Sequence, residues 1–186
     1  TESTLAYNNS GKGVAIGTEL SFKYDPNSTW RGWLSFDCAL SKRKDDNSGI
    51  WYNFDKHRPW SLKWHNYFNM GNAWTLSLKY SYTGGMAYTP YSDLGQLGKV
   101  DSTNQNPVLF EIEEKNSGYY SPYSRFDIRL SQETQFYGLP LIKFFEIWNA
   151  FNVPNMFLAD HESNDIKNVD FNYPFPIFFL GAEIRW

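Results

Sequence analysis

The sequence predicts an all-β fold, namely an antiparallel up-and-down transmembrane β-barrel of which this chain supplies about seven to eight strands. Three observations predict it. Apolar and polar residues alternate along seven segments, the connections between these segments alternate in length, and most charges fall in one of the two alternating registers. Because successive side chains of a strand point to opposite faces, such alternation gives each strand one apolar and one polar face.

The first two predicted strands span residues 14–24 and 30–43 and are joined by a turn, DPNST. Their apolar register contains Val14, Ile16, Leu20, Phe22, Tyr24, Trp30, Leu34, Phe36, Cys38 and Leu40. Cys38 therefore reads as a small apolar side chain. As the single cysteine of the chain, it excludes an intrachain disulfide and any multi-cysteine metal site.

The next two strands, residues 58–70 and 73–84, flank a very short turn, MGNA. A polar loop of about residues 44–57 precedes them. Their apolar register contains Trp60, Leu62, Trp64, Phe68, Trp74, Leu76, Leu78, Tyr80 and Tyr82. The fourth strand has the cleanest alternation in the chain, since Thr75, Ser77, Lys79, Ser81 and Thr83 occupy its other register.

The fifth and sixth strands, residues 124–136 and 141–152, are joined by a short turn, YGLP. Irregular segments of about residues 84–122 and 153–174 precede and follow this pair. The sixth strand is ambiguous, because Lys143 shares a register with Phe145 and Ile147. We interpret Phe145 and Ile147 as outward-facing, with Lys143 near the start of the strand and able to snorkel to an interface.

The last strand, residues 175–186, ends the sequence on an aromatic residue of its apolar register. That register contains Phe178, Leu180, Ala182, Ile184 and Trp186. Such an ending resembles the closing strand of bacterial outer-membrane barrels, in which these alternate positions form the signal read by the barrel-assembly machinery.

The connections follow the order short, long, short, very long, short, long. In an antiparallel meander this order places all short turns on one rim and all long loops on the other, as in outer-membrane barrels. A basic residue at the lipid-facing midplane costs about 2–4 kcal/mol, and the apolar register is almost free of charge there. Alternation alone fits a soluble half-buried sheet equally well, and the loop asymmetry and terminal aromatic decide for the membrane.

The amino-acid composition favours some classes of function over others. Aromatic residues make up 19% of the chain, which is typical of ligand surfaces and of membrane-interface girdles. A net charge of −3 without a long basic cluster argues against nucleic acid. The first ten residues do not resemble a signal peptide, so an exported protein is expected to be represented here by a mature or truncated piece.

Several motifs resemble the C-terminal part of a TonB-dependent outer-membrane receptor. They are GKGVAIGTELSFKY with Gly17 and Glu19, YSYTGGMAYTPY at 80–91, SPYSRFDIRLS at 121–131, and FFEIWNAFNVPN at 144–155 with Asn149, Phe151, Asn152 and Asn155. The last two motifs, in this order before a terminal aromatic strand, are the most specific.

The resemblance implies a 22-stranded barrel with an N-terminal plug, of which this chain would be a C-terminal fragment without the plug. It implies active import, across a bacterial outer membrane, of a scarce ligand such as a siderophore, a cobalamin or an oligosaccharide. The implied partners are outer-membrane lipid, the barrel-assembly machinery, the TonB complex through the missing N-terminal part, and the ligand.

The best candidates for ligand contact are aromatic residues beside the longest loop, namely Tyr88, Tyr91, Tyr119, Tyr120 and Tyr123. No catalytic constellation, metal site or cofactor is expected, and the acidic stretch DHESND at 160–165 is interpreted as a solvated loop. Two alternatives remain open: a complete eight-stranded outer-membrane barrel acting as an adhesin or lipid-modifying enzyme, and a soluble ligand-binding β domain.

Overall fold

A computed structural model describes residues 11–26, 29–44, 49–92, 111–112, 114–159, 168–170 and 176–184. Within these ranges the regular structure consists of strands alone. The strands are β1 Lys12–Tyr24, β2 Trp30–Lys44, β3 Trp51–Asn53, β4 Trp60–Gly71, β5 Trp74–Thr83, β6 Ala87–Tyr88, β7 Tyr91–Ser92, β8 Glu111–Ile112, β9 Gly118–Tyr119, β10 Tyr123–Phe136, β11 Leu139–Trp148, β12 Met156–Ala159, β13 Asn168–Asp170 and β14 Ile177–Ile184.

The seven long strands form one sheet in the order β1-β2-β4-β5-β10-β11-β14, and β3 pairs with the end of β2. From β2 to β14 every neighbouring pair on this path is antiparallel, as is the pair of β2 and β3. In the part of the chain that the structure describes, β1 and β14 each pair on one side only, so the sheet is open. The predicted all-β, antiparallel class and the seven predicted strands are thus confirmed.

The long connections contain short ladders that the sequence did not predict. Strand β6 pairs with β9, β7 with β8, and β12 with β13. Strand β3 likewise lies in the segment predicted as a polar loop. Ladders of two to four residues are too short to show a two-residue period, so periodicity has no power to detect them.

Two hairpins follow the predicted short turns. Asn72 and Ala73 have φ of 49° and 61°, and Tyr137 and Gly138 have φ of 48° and 81°. Two successive residues at positive φ are typical of type I′ turns, whose twist matches that of the flanking strands. The second turn is so tight that β11 begins at Leu139, earlier than predicted.

The prediction for β11 was wrong at both ends. Lys143 is the fifth residue of this strand rather than a residue near its start, and it lies opposite Gln132 and Ala182. The strand ends at Trp148 rather than continuing to Asn152. The reason is local, since Asn149 and Asn152 adopt left-handed φ values of 53° and 50°. Phe145 lies on the apolar face of the sheet, because it pairs with Leu130 and Leu180.

The chain divides into two compact units. The sheet unit comprises residues 18–38, 59–85 and 121–186, and the loop unit comprises residues 1–17, 39–58 and 86–120. The sheet unit holds most of the seven long strands. The loop unit holds the first part of β1, the last part of β2, and strands β3 and β6–β9.

Burial in the chain is inverted relative to a water-soluble domain. Among the described residues, Ala87 is the only hydrophobic residue that is buried, whereas Ser35, Ser61, Asn66 and Asp127 are buried polar residues of the sheet unit. The apolar register is exposed on the edge strands, with Leu20 at 68% and Leu180 at 87%, and half-buried on the central strands, as at Leu78. The described part of the sheet unit therefore has no hydrophobic core of its own.

One polar residue, Asn66, lies in the apolar register of β4 and is nevertheless buried. Its side-chain oxygen accepts a hydrogen bond of 2.6 Å from the Trp30 indole, and its side chain covers the backbone of Gly32 on the neighbouring strand. The side-chain oxygen of Asn66 thus has a hydrogen-bond donor in Trp30. A glycine at position 32 leaves the space that the Asn66 side chain fills.

Replacing Gly32 by alanine is therefore expected to destabilise the sheet by about 1–3 kcal/mol, because the added methyl group would overpack the contact between β2 and β4. The added Cβ would meet the Asn66 side chain and would lie 2.7 Å from the His65 carbonyl oxygen. Urea titration of the protein in detergent measures the effect. Gly13→Ala is the matched control, since its Cβ would have no neighbour closer than 3.7 Å. Equal midpoints for the two variants would contradict this account.

Candidate functional site

The polar register of the sheet unit lines a concavity of about 450 Å³. Its walls come from six neighbouring strands, β2, β4, β5, β10, β11 and β14. The lining side chains are Arg31, His65, Tyr67, Thr75, Ser77, Lys79, Arg125, Asp127, Arg129, Ser131, Glu133, Ile142, Glu146, Trp148 and Glu183. The polar face that the sequence predicts is thus the face on which the concavity lies. Its volume is within the range of small-molecule sites.

Charges on the β10 and β11 side of the concavity are compensated within the sheet. Arg125 donates from Nε to Asp127 at 2.6 Å, and Arg129 donates to Glu146 at 3.2 Å. The Arg129 guanidinium also lies 3.8 Å from the centre of the Phe144 ring. Since these cations have both acids and an aromatic face as partners, they are held in place by the sheet itself.

Asp127 is the centre of a network that ends β11. Its Oδ1 accepts hydrogen bonds from Arg125 and, at 3.0 Å, from the backbone N–H of Asn149. The Asn149 amide group in turn bonds the backbone N–H and C=O of Val153. Asn155 bonds the backbone N–H and C=O of Ser124 at the start of β10. The network fastens residues 149–155 to β10.

These asparagines are the residues on which the sequence resemblance depended, and the structure gives them a structural role. Phe151 of the same motif stacks on Phe126, with 4.8 Å between ring centres. All of these contacts belong to the sheet unit. The motif at 144–155 therefore reverses the chain direction after β11 and anchors the following connection to β10.

Four of the five predicted ligand-contact tyrosines lie in the loop unit. The rings of Tyr88 and Tyr120 stack with centres 4.3 Å apart, and Tyr119 is 44% exposed with its ring 6.2 Å from that of His57. Tyr91 lies in β7. Tyr123 is instead the first residue of β10, in the sheet unit. The structure thus places four of these tyrosines in the loop unit and Tyr123 in the sheet unit.

Asn116 supports this tyrosine cluster and was missed by sequence reasoning. Its Nδ2 donates to the Asn53 carbonyl at 2.7 Å and to Asp55 Oδ1 at 2.6 Å, while its backbone N–H donates to Thr89 Oγ1 at 3.0 Å. Asn116 is 5% exposed and adopts a φ of 56°. It therefore joins three separate stretches of the loop unit. No local signal marks it, because its partners are up to 63 residues away.

His57 is the buried titratable group of this loop unit, with 5% of its surface exposed. Burial lowers the pKa of His57 below its ordinary value of about 6.5, because the charged imidazolium loses hydration. The unfolded state then binds the proton more readily than the folded state. The stability contributed by the neutral form is present above the unfolded pKa and is lost as the pH falls below it.

Lowering the pH from 7.5 to 5.5 is accordingly expected to loosen the loop unit. Hydrogen exchange at the Ala87 amide, which donates to the His57 carbonyl at 2.9 Å, measures this opening after correction for the intrinsic exchange rate. His57→Gln is the control, in which the pH dependence is expected to flatten. Equal protection of Ala87 at both pH values in the unmodified protein would contradict the prediction.

The predicted assembly-signal residues lie in β14, except for Trp186, which lies outside the described residues. Phe178, Leu180, Ala182 and Ile184 occupy one register and are all exposed. Leu180 lies opposite Phe145, and Phe178 lies opposite Ile147. These four residues therefore share the apolar face of the sheet. The acidic stretch at 160–165 also lies outside the described residues.

Comparisons of the chain with family models, with the sequences of characterised proteins and with solved structures give no match. Where the structure describes the chain, it contains no helix that is long and apolar enough to cross a membrane. The described residues also contain no group of three or more His, Cys, Asp or Glu side chains that could hold a metal ion.

Proposed function

We propose that this chain is part of the barrel wall of a TonB-dependent importer in a bacterial outer membrane. In this proposal the apolar face of the sheet contacts lipid, and the polar, concave face lines a water-filled lumen. The importer takes up a scarce ligand such as a siderophore, a cobalamin or an oligosaccharide. The chain contributes wall, connecting loops and an assembly signal to this function.

The observation that carries the proposal is the inverted burial of the sheet. A soluble β domain places its apolar face in a core and its polar face in water. Here the described apolar residues of the sheet are exposed or half-buried and none is fully buried, while the concave face is lined mostly by charged and polar side chains. Lipid is the solvent that suits such an outer face, because it accepts apolar side chains at no cost and the lumen keeps the charges hydrated.

The layout of connections supports the same proposal. Hairpin turns join β4 to β5 and β10 to β11, and a short connection joins β1 to β2, whereas the connections to β4, β10 and β14 are long. In an outer-membrane barrel the short turns are periplasmic and the long loops extracellular. The anchoring network of Asp127, Asn149 and Asn155 joins the two motifs, at 121–131 and 144–155, on which the resemblance most depends.

The open edges of β1 and β14 support the further proposal that other strands complete the barrel. Unpaired backbone groups at a sheet edge have no partner in lipid, so each edge requires a neighbouring strand. A 22-stranded barrel would supply both neighbours and enclose a plug domain. In this proposal the TonB complex acts through that plug.

Named residues have specific roles in this proposal. Tyr88, Tyr91, Tyr119, Tyr120 and Tyr123 are proposed ligand contacts, because aromatic faces suit sugars and siderophore rings. Phe178, Leu180, Ala182, Ile184 and Trp186 are the proposed signal for the barrel-assembly machinery. Tyr119 is more exposed than Tyr88, Tyr120 and Tyr123, with 44% of its surface accessible.

Fractionation and uptake test the proposal in the cell that carries the protein. The protein is expected in the outer-membrane fraction, and deleting its gene should abolish uptake of one labelled ferric siderophore, cobalamin or oligosaccharide. That uptake should stop when the proton gradient across the inner membrane is collapsed. Recovery of the protein in a soluble fraction, or uptake that continues without the gradient, would overturn the assignment.

A further inference from the structure

The two halves of the concave face differ in charge. All four acidic lining residues, Asp127, Glu133, Glu146 and Glu183, lie on β10, β11 and β14. The lining residues of β2, β4 and β5 include the basic residues Arg31, His65 and Lys79 and no acid. The concavity is therefore balanced in total charge but positive on one side.

The basic residues of that side are joined by aromatic rings. The Arg31 guanidinium lies 5.1 Å from the centre of the Tyr67 ring, and the Tyr67 and His65 ring centres are 4.4 Å apart. His65 lies directly across the ladder from Lys79, and Arg31 directly across from Tyr67. The order across the sheet is thus cation, aromatic ring, imidazole, cation, all on one face.

Arg31 and Lys79 have no carboxylate within ion-pair distance among the residues that the structure describes. The nearest candidate for Lys79 is Asp127, its cross-strand neighbour on β10. The Asp127 carboxylate, however, already accepts hydrogen bonds from Arg125 and from the Asn149 backbone. Lys63, on the same face, is different, because its Nζ lies 4.0 Å from Asp37.

A face that carries cations without acidic partners attracts an anion, because the anion neutralises their charge. The Cα atoms of Arg31 and Lys79 are two strands and one pleat apart, or about 12 Å, a distance that their two long side chains can span around one ligand group. The Tyr67 and His65 rings between them offer a flat surface to a ring-bearing ligand.

We propose that Arg31, His65, Tyr67 and Lys79 form a subsite for an anionic group carried on a ring, such as the carboxylate of an acidic sugar or of an aryl iron chelator. This inference deepens the proposed import function and rests on it, since it requires the polar face to be the wetted lumen. The two cations bind the carboxylate, and the two rings pack against the ring that bears it.

Calorimetric titration of the full chain in detergent micelles tests the subsite with three probes: tri-galacturonate, its uncharged methyl ester, and salicylate. Binding of tri-galacturonate identifies an acidic sugar, and binding of salicylate alone identifies an aryl carboxylate. Arg31→Gln and Lys79→Gln are each expected to raise the Kd of the bound probe about tenfold, the loss of one hydrogen bond to a charged group. Lys79→Arg should retain most of the binding.

Lys63→Gln is the matched control, because it removes a cation from the same face that already has an acidic partner. Its Kd is expected to match that of the unmodified chain. The subsite is refuted if neither anion binds, if the methyl ester binds as tightly as tri-galacturonate, or if Lys63→Gln weakens binding as much as Lys79→Gln. Circular dichroism verifies the strand content of each variant, and Kd values are compared only between variants that fold.

The two proposals fail in distinguishable ways. Failure of anion binding with the protein still in the outer membrane removes only the subsite. Failure of the outer-membrane location removes the importer, whatever the micelle titration gives.

Discussion

Replacing Leu78 by arginine is expected to destabilise the protein in lipid vesicles by about 2–4 kcal/mol, the cost of a basic side chain at the midplane of a barrel's lipid face. Leu78 is the fifth residue of the ten in β5 and lies between Asn66 and Ile128 on the apolar face. Urea titration of folding into vesicles measures this cost.

The adjacent residue provides the control for this variant. Ser77 lines the concave polar face, so Ser77→Arg is expected to change stability by less than about 1 kcal/mol, since the guanidinium stays in water. A lipid neighbour also makes the cost depend on depth. Tyr82→Arg, near the end of β5, should therefore cost less than Leu78→Arg. Equal costs for Ser77→Arg and Leu78→Arg would contradict the assignment of faces.

Replacing Asp127 by alanine is the second large effect, with an expected loss of about 2–4 kcal/mol. Asp127 is 7% exposed, and its carboxylate accepts from Arg125 at 2.6 Å and from the Asn149 N–H at 3.0 Å. The substitution leaves a partly buried guanidinium and a backbone donor without their acceptor. The connection after β11 should loosen at the same time, with faster hydrogen exchange at the Asn149 amide.

Asp37→Ala is the control for this substitution. The Asp37 carboxylate lies 4.0 Å from Lys63, and both side chains are well exposed, at 36% and 52%. Exposed ion pairs of this kind are worth less than about 1 kcal/mol. A loss at Asp37 as large as that at Asp127 would show that charge on this face, rather than the network around Asn149, determines stability.

The strands could be predicted because their information is local. The alternation of Leu76 and Leu78 with Ser77 and Lys79 specifies both the strand and its two faces, and the structure pairs these residues in the matching registers with β10. The ends of β11 were harder. The predicted strand continued to Asn152, whereas β11 ends at Trp148 because Asn149 and Asn152 adopt left-handed backbone conformations.

For the candidate site, the sequence predicted which side chains share the polar face of the sheet, but not which of them contact one another. That Lys79 and His65 line a polar surface follows from alternation, but that they are cross-strand neighbours depends on the register between β4 and β5. The stacking of Tyr88 on Tyr120 and the hydrogen bonds of Asn116 are likewise long-range. A single sequence contains no signal for contacts between residues 30 or 60 positions apart when no period connects them.

Collisional accessibility of spin labels along β5 tests the central claim most directly. In a Cys38→Ser background, single cysteines replace Leu76, Ser77, Leu78 and Lys79, and each label is exposed in vesicles to oxygen, which enters lipid, and to a water-soluble nickel chelate. The account predicts that oxygen reaches positions 76 and 78 and that the nickel chelate reaches 77 and 79. Preferential access of the nickel chelate to 76 and 78, or the absence of any two-residue alternation, would contradict it.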